Sequence, residues 1–213
     1  MVKVETFSET GGHLVNEDAL AVEQHPADPN CWLCCLADGQ GGRAGGQQAA
    51  SLAVRVTIDA ARRLPVRTLL SPTAWVSLLR QADAAVEAAP DAGFTTLISL
   101  GIVGDAVCGA SSGDSKVLAT IPTRAQVLTA HQFKDPPVGS GVAAFVPFSL
   151  ALVEPWSVLV MSDGVWKYAG WHGIVDACKA LRGRSLVQAL QWQARLPGSG
   201  RYQDDFSLVL LES

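Results

Sequence analysis

Apolar and polar residues alternate along 2–9 and 18–23, and a run apolar on both faces follows at 31–37, Cys-Trp-Leu-Cys-Cys-Leu-Ala. The first two stretches predict half-buried strands, the third a strand covered on both sides. The period then changes. Between 47 and 64, Ala49, Leu52, Ala53, Val56 and Ala60 share one helical face, while Arg55, Asp59, Arg62 and Arg63 share the other. A second helix is expected from Ser71 as cap and Pro72 at its first position, with Trp75, Leu78, Leu79, Ala82, Val86 and Ala89 in phase until Pro90 and Gly93 stop it. Strand patterns return at 95–103, 106–112, 116–121 and 125–129, the first two joined by Gly104-Asp105 as a hairpin loop. The apolar stretch 142–153 predicts a further core strand, and 157–161 a short one. Amphipathic helices at 172–181 and 186–196 precede a last strand at 206–211. Trp166, Trp171 and Trp192 read as core aromatics, Trp166 also standing where it could shape a cleft rim. Strands in adjacent runs with few intervening helices predict an α+β sandwich of antiparallel sheets with helices on the outer faces. Without repeats or linker-like tracts, residues 1–213 read as a single domain.

Composition narrows the class of partner. Of the 213 residues, 48% are hydrophobic and 17% charged, against about 25% charged in an average soluble domain. The net charge is −4, with a pI near 5.5, which argues against nucleic acid as a ligand. The longest apolar stretch, 142–153, is shorter than the roughly 20 residues of a spanning helix and holds Pro147 and Ser149. The alternating first residues do not resemble a signal peptide. Five cysteines, three of them in the 31–37 run, fit reduced buried thiols; Cys31-x-x-Cys34 has no second ligand pair. A cytoplasmic protein with no membrane partner is expected.

The acidic residues are lopsided, 13 Asp to 7 Glu, although Glu is the better helix former. Asp38, Asp114 and Asp163 each follow a predicted strand and touch a glycine, and Asp204 immediately precedes the last strand. Singly, each is a turn residue. Together they are carboxylates at strand ends, which converge on one sheet edge and repel unless a cation sits among them. A carboxylate set without His or Cys selects hard Mg²⁺ or Mn²⁺.

Six motifs carry a resemblance. Asn16-Glu17-Asp18-Ala19, Asp38-Gly39-Gln40-Gly41-Gly42, Gly93-Phe94-Thr95-Thr96-Leu97, Gly113-Asp114-Ser115-Lys116, Ser162-Asp163-Gly164-Val165-Trp166 and Asp204-Asp205-Phe206-Ser207 resemble, in order and rough spacing, those of the metal-dependent protein phosphatases of type 2C, the PPM class. The resemblance spans nearly the whole chain. It implies a four-layer αββα sandwich and a metal-dependent hydrolase of phosphoserine and phosphothreonine in proteins, bacterial in style, which opposes a protein kinase. It assigns Asp38 as the carboxylate bridging two Mg²⁺ or Mn²⁺ ions and the Gly39 carbonyl as a further ligand of one. Asp163 and Asp204 resemble ligands of the other ion, and Glu17 and Asp18, with Asp205 beside them, hold metal-bound waters. Asp114 matches the residue that, with Asp163, supports a third, weaker cation. Two divalent ions can activate a water and neutralise phosphoryl charge, so no protein nucleophile is needed. A monomer is expected.

The chain also departs from that pattern. His13 stands where the family usually has a phosphate-clamping Arg, and Arg43, just after the Gly-rich turn, is the candidate to compensate. Gln40 stands where some members have a His proposed as general acid; an amide cannot serve, which should favour low-pKa leaving groups such as aryl phosphates. His131 resembles a family histidine that has lost its neighbouring aspartate. Only 46 residues separate Lys116 from Asp163, so the flap beside the active site is short, with 135–141 as its one loop-like segment. These departures leave a second reading open, a regulatory or binding module on the same fold with weak or no turnover.

Overall fold

The computed structural model describes residues 1–12, 14–40 and 45–213. Ten strands form two five-stranded antiparallel sheets. In order along the first sheet lie β1 (Lys3–Glu9), β10 (Phe206–Glu212), β9 (Ser157–Met161), β6 (Lys116–Ile121) and β7 (Arg124–Val127). The second sheet runs β2 (Asp18–His25), β3 (Asp28–Asp38), β4 (Leu97–Val103), β5 (Ala106–Ser112) and β8 (Val146–Ala151). Helices α1 (Gly46–Ala61) and α2 (Pro72–Glu87), linked through a 3₁₀ turn at Val66–Leu70, cover the second sheet. Helices α3 (Asp163–Ala169), α4 (Trp171–Ala180) and α5 (Gly183–Ala194) cover the first. The result is the αββα order expected from the sequence. No helix among the described residues is long and apolar enough to cross a membrane.

Alternation explains the layering. In β3, Cys31, Leu33, Cys35 and Ala37 face α1 and α2, while Cys34 and Leu36 face the space between the sheets. In β10, Phe206, Leu208 and Leu210 pack on the α3–α5 layer, and Val209 and Leu211 meet the other sheet. Strands covered on both faces lose the polar-out pattern usual in antiparallel sheets, so 31–37 and 208–211 read as continuous apolar runs. All five cysteines are free and buried. Between β4 and β5, Gly104 takes φ +59° as the first central residue of a two-residue hairpin loop. Gly101 makes room for the Trp75 ring, whose nearest atom would lie 2.9 Å from an added Cβ, and Trp75 Nε1 donates to the Leu69 carbonyl at 2.9 Å.

Four expectations shift. The buried face of α1 runs through Ala50, Ala53, Val54, Thr57, Ile58 and Ala61, while Leu52, Val56 and Ala60 flank it. Thr57 can lie on that face because its hydroxyl donates to the Ala53 carbonyl at 2.8 Å. The 142–153 stretch yields an edge strand, not a core one: β8 pairs with β5 alone, carries Pro147 and alternates in exposure. Asp163 does not sit in a turn; it is the first residue of α3. Trp192 is 82% exposed on α5, whereas Trp166 and Trp171 do pack on the α3–α5 core.

A buried carboxylate anchors the short flap segment. Asp83, only 3% exposed on α2, accepts hydrogen bonds from the backbone N–H groups of Gly139 (2.6 Å), Gly141 (3.2 Å) and Ala143 (3.2 Å). Thr95 and Val138 exchange backbone hydrogen bonds of 3.1 Å, which joins the same segment to the chain entering β4. Asp83→Asn keeps one acceptor and turns an amide donor toward the remaining N–H groups. It should cost on the order of 2 kcal/mol in urea denaturation and speed amide exchange at 139–143. An unchanged exchange rate there would mean that Asp83 does not hold the segment.

Candidate metal centre

The ends of both sheets meet at one cleft of about 350 Å³, lined by Asp38, Gly39, Gln40, Thr95, Thr96, Asp114, Lys134, Asp135, Pro137, Asp163, Asp204 and Asp205. Asp38 closes β3, Asp114 occupies the β5–β6 turn, Asp163 follows β9 and Asp204 precedes β10. Carboxylate oxygens of Asp38, Asp114 and Asp163 lie within 4.8 Å of one another, with Asp204 on the same wall. Backbone geometry fixes Asp38: its N–H donates to Thr96 Oγ1 at 3.0 Å, and its carbonyl accepts from Thr95 Oγ1 at 2.8 Å and the Thr96 N–H at 2.9 Å. The first N–H of α3 reaches Asp38 Oδ2 at 3.4 Å. Gly39 is buried; a Cβ there would lie 2.6 Å from the Gly46 backbone and 2.7 Å from the Glu17 carbonyl, so only glycine lets β2 and α1 close on this turn.

Asp205 has a different task from its neighbour. Its Oδ1 accepts from the Gly11 N–H (2.8 Å) and Thr10 Oγ1 (3.2 Å), and its Oδ2 from the Glu17 N–H (2.7 Å). It thereby pins the β1–β2 connection, and with it Glu17 and Asp18, to the Asp204 loop. That loop is squeezed between two glycines. An added Cβ would meet the Asp204 carbonyl oxygen at 1.9 Å from Gly11, and the Asp205 carbonyl oxygen at 2.0 Å from Gly164.

The electrostatics call for a cation. Asp18 and Asp38 are direct cross-strand partners in the β2–β3 register, an arrangement of like charges that destabilises a bare sheet. Burial, reinforced by Asp18, Asp163 and Asp114, holds the Asp38 carboxyl well above the usual range. Burial also raises Asp18, opposed by the Ser207 and Ser162 hydroxyls and reinforced by Asp205 and Asp163, so that its pKa is pushed up to about 8. Asp18 Oδ2 is buried without a hydrogen-bond partner among the described residues. An all-oxygen donor set whose members repel one another suits Mg²⁺ or Mn²⁺ and offers nothing softer a ligand.

Two lysines answer part of this charge. Lys134, from the segment after β7, donates to Asp114 Oδ2 at 2.6 Å. Lys167 donates to Asp163 Oδ2 one helical turn before it and stands 3.8 Å from Asp114 Oδ2. The hydrogen bond to Asp114 raises the Lys134 pKa; burial lowers that of Lys167, but Asp163 and Asp114 outweigh it. Neither lysine was legible as a site residue. Lys134 comes from an irregular segment, and the i,i+4 spacing of Asp163 and Lys167 means something only once α3 is known to begin at Asp163.

A sequence model described as Protein phosphatase 2C matches residues 8–133, more than half of the chain. The chain belongs to the protein phosphatase 2C family. Comparison with curated proteins gives no match. Among solved structures, a bacterial serine phosphatase bearing an arginine-to-glutamate mutation superposes with a TM-score of 0.80 at 17% identity, over 100% of this chain and 99% of that one. RsbX in complex with magnesium matches at 0.75 and 14%, over 100% and 99% of the two chains. The catalytic domain of the serine/threonine phosphatase PstP, in complex with 2 manganese ions, matches at 0.78 and 19%, over 99% and 97%. At such identities the likeness is one of fold.

Against the phosphatase 2C pattern, the structure gathers Asp38, Gly39, Asp114, Asp163, Asp204 and Asp205 at one cleft, and Asp205 and the β2–β3 pairing tie Glu17 and Asp18 to it. His13 and Arg43, the candidate phosphate ligands, lie outside the described residues, as do Gly41 and Gly42. Gln40 lines the cleft with its N–H on the Phe94 carbonyl at 2.9 Å. His131 stands exposed and does not line it.

Proposed function

We propose that this phosphatase 2C chain hydrolyses phosphoserine and phosphothreonine in proteins with Mg²⁺ or Mn²⁺, opposing a Ser/Thr kinase, and that residues 1–213 form one phosphatase domain. The convergence of Asp38, Asp163 and Asp204 on a single cleft, from three elements far apart in sequence, carries the reading. Asp38 and the Gly39 carbonyl would serve one ion, and Asp38, Asp163 and Asp204 the other. Glu17 and Asp18 would order water behind them. Bound ions supply Lewis acidity that activates water and offsets phosphoryl charge.

The chain's own residues do the rest. Thr95 and Thr96 lock the Asp38 backbone, so its carboxylate needs little reorganisation to accept ligands. Asp205 fixes Glu17 relative to Asp204 through the Glu17 N–H. Gln40 stands at the cleft without a proton to give, so solvent must protonate the leaving group, and aryl phosphates should be better substrates than alkyl ones. His13 and Arg43 are the proposed phosphate ligands.

Hydrolysis of p-nitrophenyl phosphate and of a phosphothreonine peptide, each with Mn²⁺ and with excess EDTA, tests the proposal. Turnover that requires Mn²⁺ and favours the aryl ester is expected. Metal binding without turnover would instead identify a regulatory module on this fold, and no metal binding would reduce the aspartates to turn residues.

A further inference from the structure

Asp114 and Asp163 are the pair that a third cation would have to share, and each already has an ammonium on its Oδ2 atom. Lys134 sits on Asp114, Lys167 sits on Asp163, and Lys167 lies 3.8 Å from the same Asp114 oxygen. Two lysine charges equal the charge of one divalent ion. An isolated surface pair of this kind would be worth little, because Lys134 is 63% exposed and free to leave. These pairs are built in from both sides. The Phe133 carbonyl accepts the Gly113 N–H at 2.7 Å, so the residues preceding the two partners are joined backbone to backbone. The Gln132 side chain adds a second tie, its Nε2 donating to the Ser115 carbonyl at 2.6 Å. On the other flank, Trp166 Nε1 donates to the Asp114 carbonyl at 3.0 Å, while the Trp166 ring carries Lys167 at 5.6 Å and Lys116 at 5.3 Å from its centre. Asp114 itself is mostly covered, its side chain 20% exposed, which strengthens the pairing relative to open solvent.

We propose, resting on the two-ion reading above, that Lys134 and Lys167 take the place of a third divalent cation in this chain, so that the site holds two metal ions and Asp114 is a lysine anchor. A cation arriving between Asp114 and Asp163 must expel two ammonium groups that backbone contacts keep within reach. Both lysines stand on the Asp114 carboxylate, which the ions proposed for Asp38, Asp163 and Asp204 do not need.

Mn²⁺ stoichiometry, measured by equilibrium dialysis with electron paramagnetic resonance detection up to millimolar free metal, decides the matter without reference to turnover. The wild-type chain should bind two ions, and Asp114→Asn should still bind two. Lys134→Met/Lys167→Met should bind a third, and adding Asp114→Asn to that variant should remove it. Three ions on the wild type with one lost in Asp114→Asn would overturn the proposal, as would a double-lysine variant that stays at two. Lys134→Met alone, at a 63% exposed position, retains the test should the double variant fail to fold, and should bind a third ion that the wild type does not. A wild-type chain that binds no Mn²⁺ sinks the two-ion reading itself, a result distinct from either failure.

Discussion

Asp38→Asn should lower Mn²⁺-dependent hydrolysis of p-nitrophenyl phosphate by roughly 10³-fold or more and, in the same protein stripped of metal, raise the melting temperature. The first effect follows from the loss of the carboxylate proposed to bridge both ions. Lewis-acid stabilisation is worth several kcal/mol, and each 1.4 kcal/mol is about a decade in rate. The second follows from the folded state alone. Asp38 faces Asp18 across the β2–β3 ladder and has Asp163 and Asp114 beside it, so an amide of the same shape removes repulsion without opening a cavity. A gain of about 1 kcal/mol would appear as roughly 2–4 °C in a chain of this length.

The same charges give metal-free stability a pH dependence of known sign. Burial and neighbouring carboxylates raise Asp38 and push Asp18 up to about 8, above the roughly 4 of an unfolded carboxyl. Between those values the native state binds more protons than the unfolded one, so stability present at acid pH is lost as pH rises toward about 8. Melting curves in EDTA at about pH 5 and pH 8.5 should therefore separate for the wild type and draw together for Asp38→Asn. Saturating Mn²⁺ should restore the wild type most at the higher pH. If Asp38→Asn in EDTA melts below the wild type at pH 8.5, the carboxylates do not repel as described, and the opposite-sign signature of a metal ligand is absent.

Much of this centre was legible because Asp and Gly carry local signals. Asp38, Asp114, Asp163 and Asp204 each stand where an apolar run begins or ends, and antiparallel strands of similar length bring such ends together. What the pattern missed depends on partners distant in sequence. The α1 stripe is rotated because Thr57 satisfies its own hydroxyl on Ala53 and so behaves as a core residue. Asp83 falls on the apolar stripe of α2, between Leu79 and Val86, a position that marks it as paired; its partners at 139–143 come from a segment with no period of its own. Lys134 is invisible for the same reason. Trp192 failed the opposite way: its phase on α5 was right for a helix, but it falls on a face left exposed among the described residues.

Gly164→Ala should be among the most damaging single-methyl additions to this chain, although the residue has ordinary helical geometry. Alanine is favoured over glycine inside a helix by about 1 kcal/mol, so propensity alone would make the change stabilising. Packing reverses the sign. The added Cβ would lie 2.0 Å from the Asp205 carbonyl oxygen and 2.9 Å from its carbon, and backbone on the far side cannot swing away as a side chain can. Either α3 or the Asp204–Asp205 loop must move, and the loop is held from behind by Gly11, where a Cβ would already be 1.9 Å from the Asp204 carbonyl oxygen. The expected cost is about 3 kcal/mol or more, the range of overpacking without relief. Because Asp163 and Asp204 flank the clash, Mn²⁺ affinity should fall along with stability. Gly173→Ala on α4 is the matched control: its nearest neighbour would be the flexible Gln193 side chain at 3.0 Å, so propensity should prevail and the variant should equal or exceed wild-type stability. Urea denaturation and Mn²⁺ titration of both variants separate the two causes. If Gly164→Ala keeps wild-type stability and metal affinity, the close approach of α3 to the Asp204–Asp205 backbone is not what requires a glycine after Asp163.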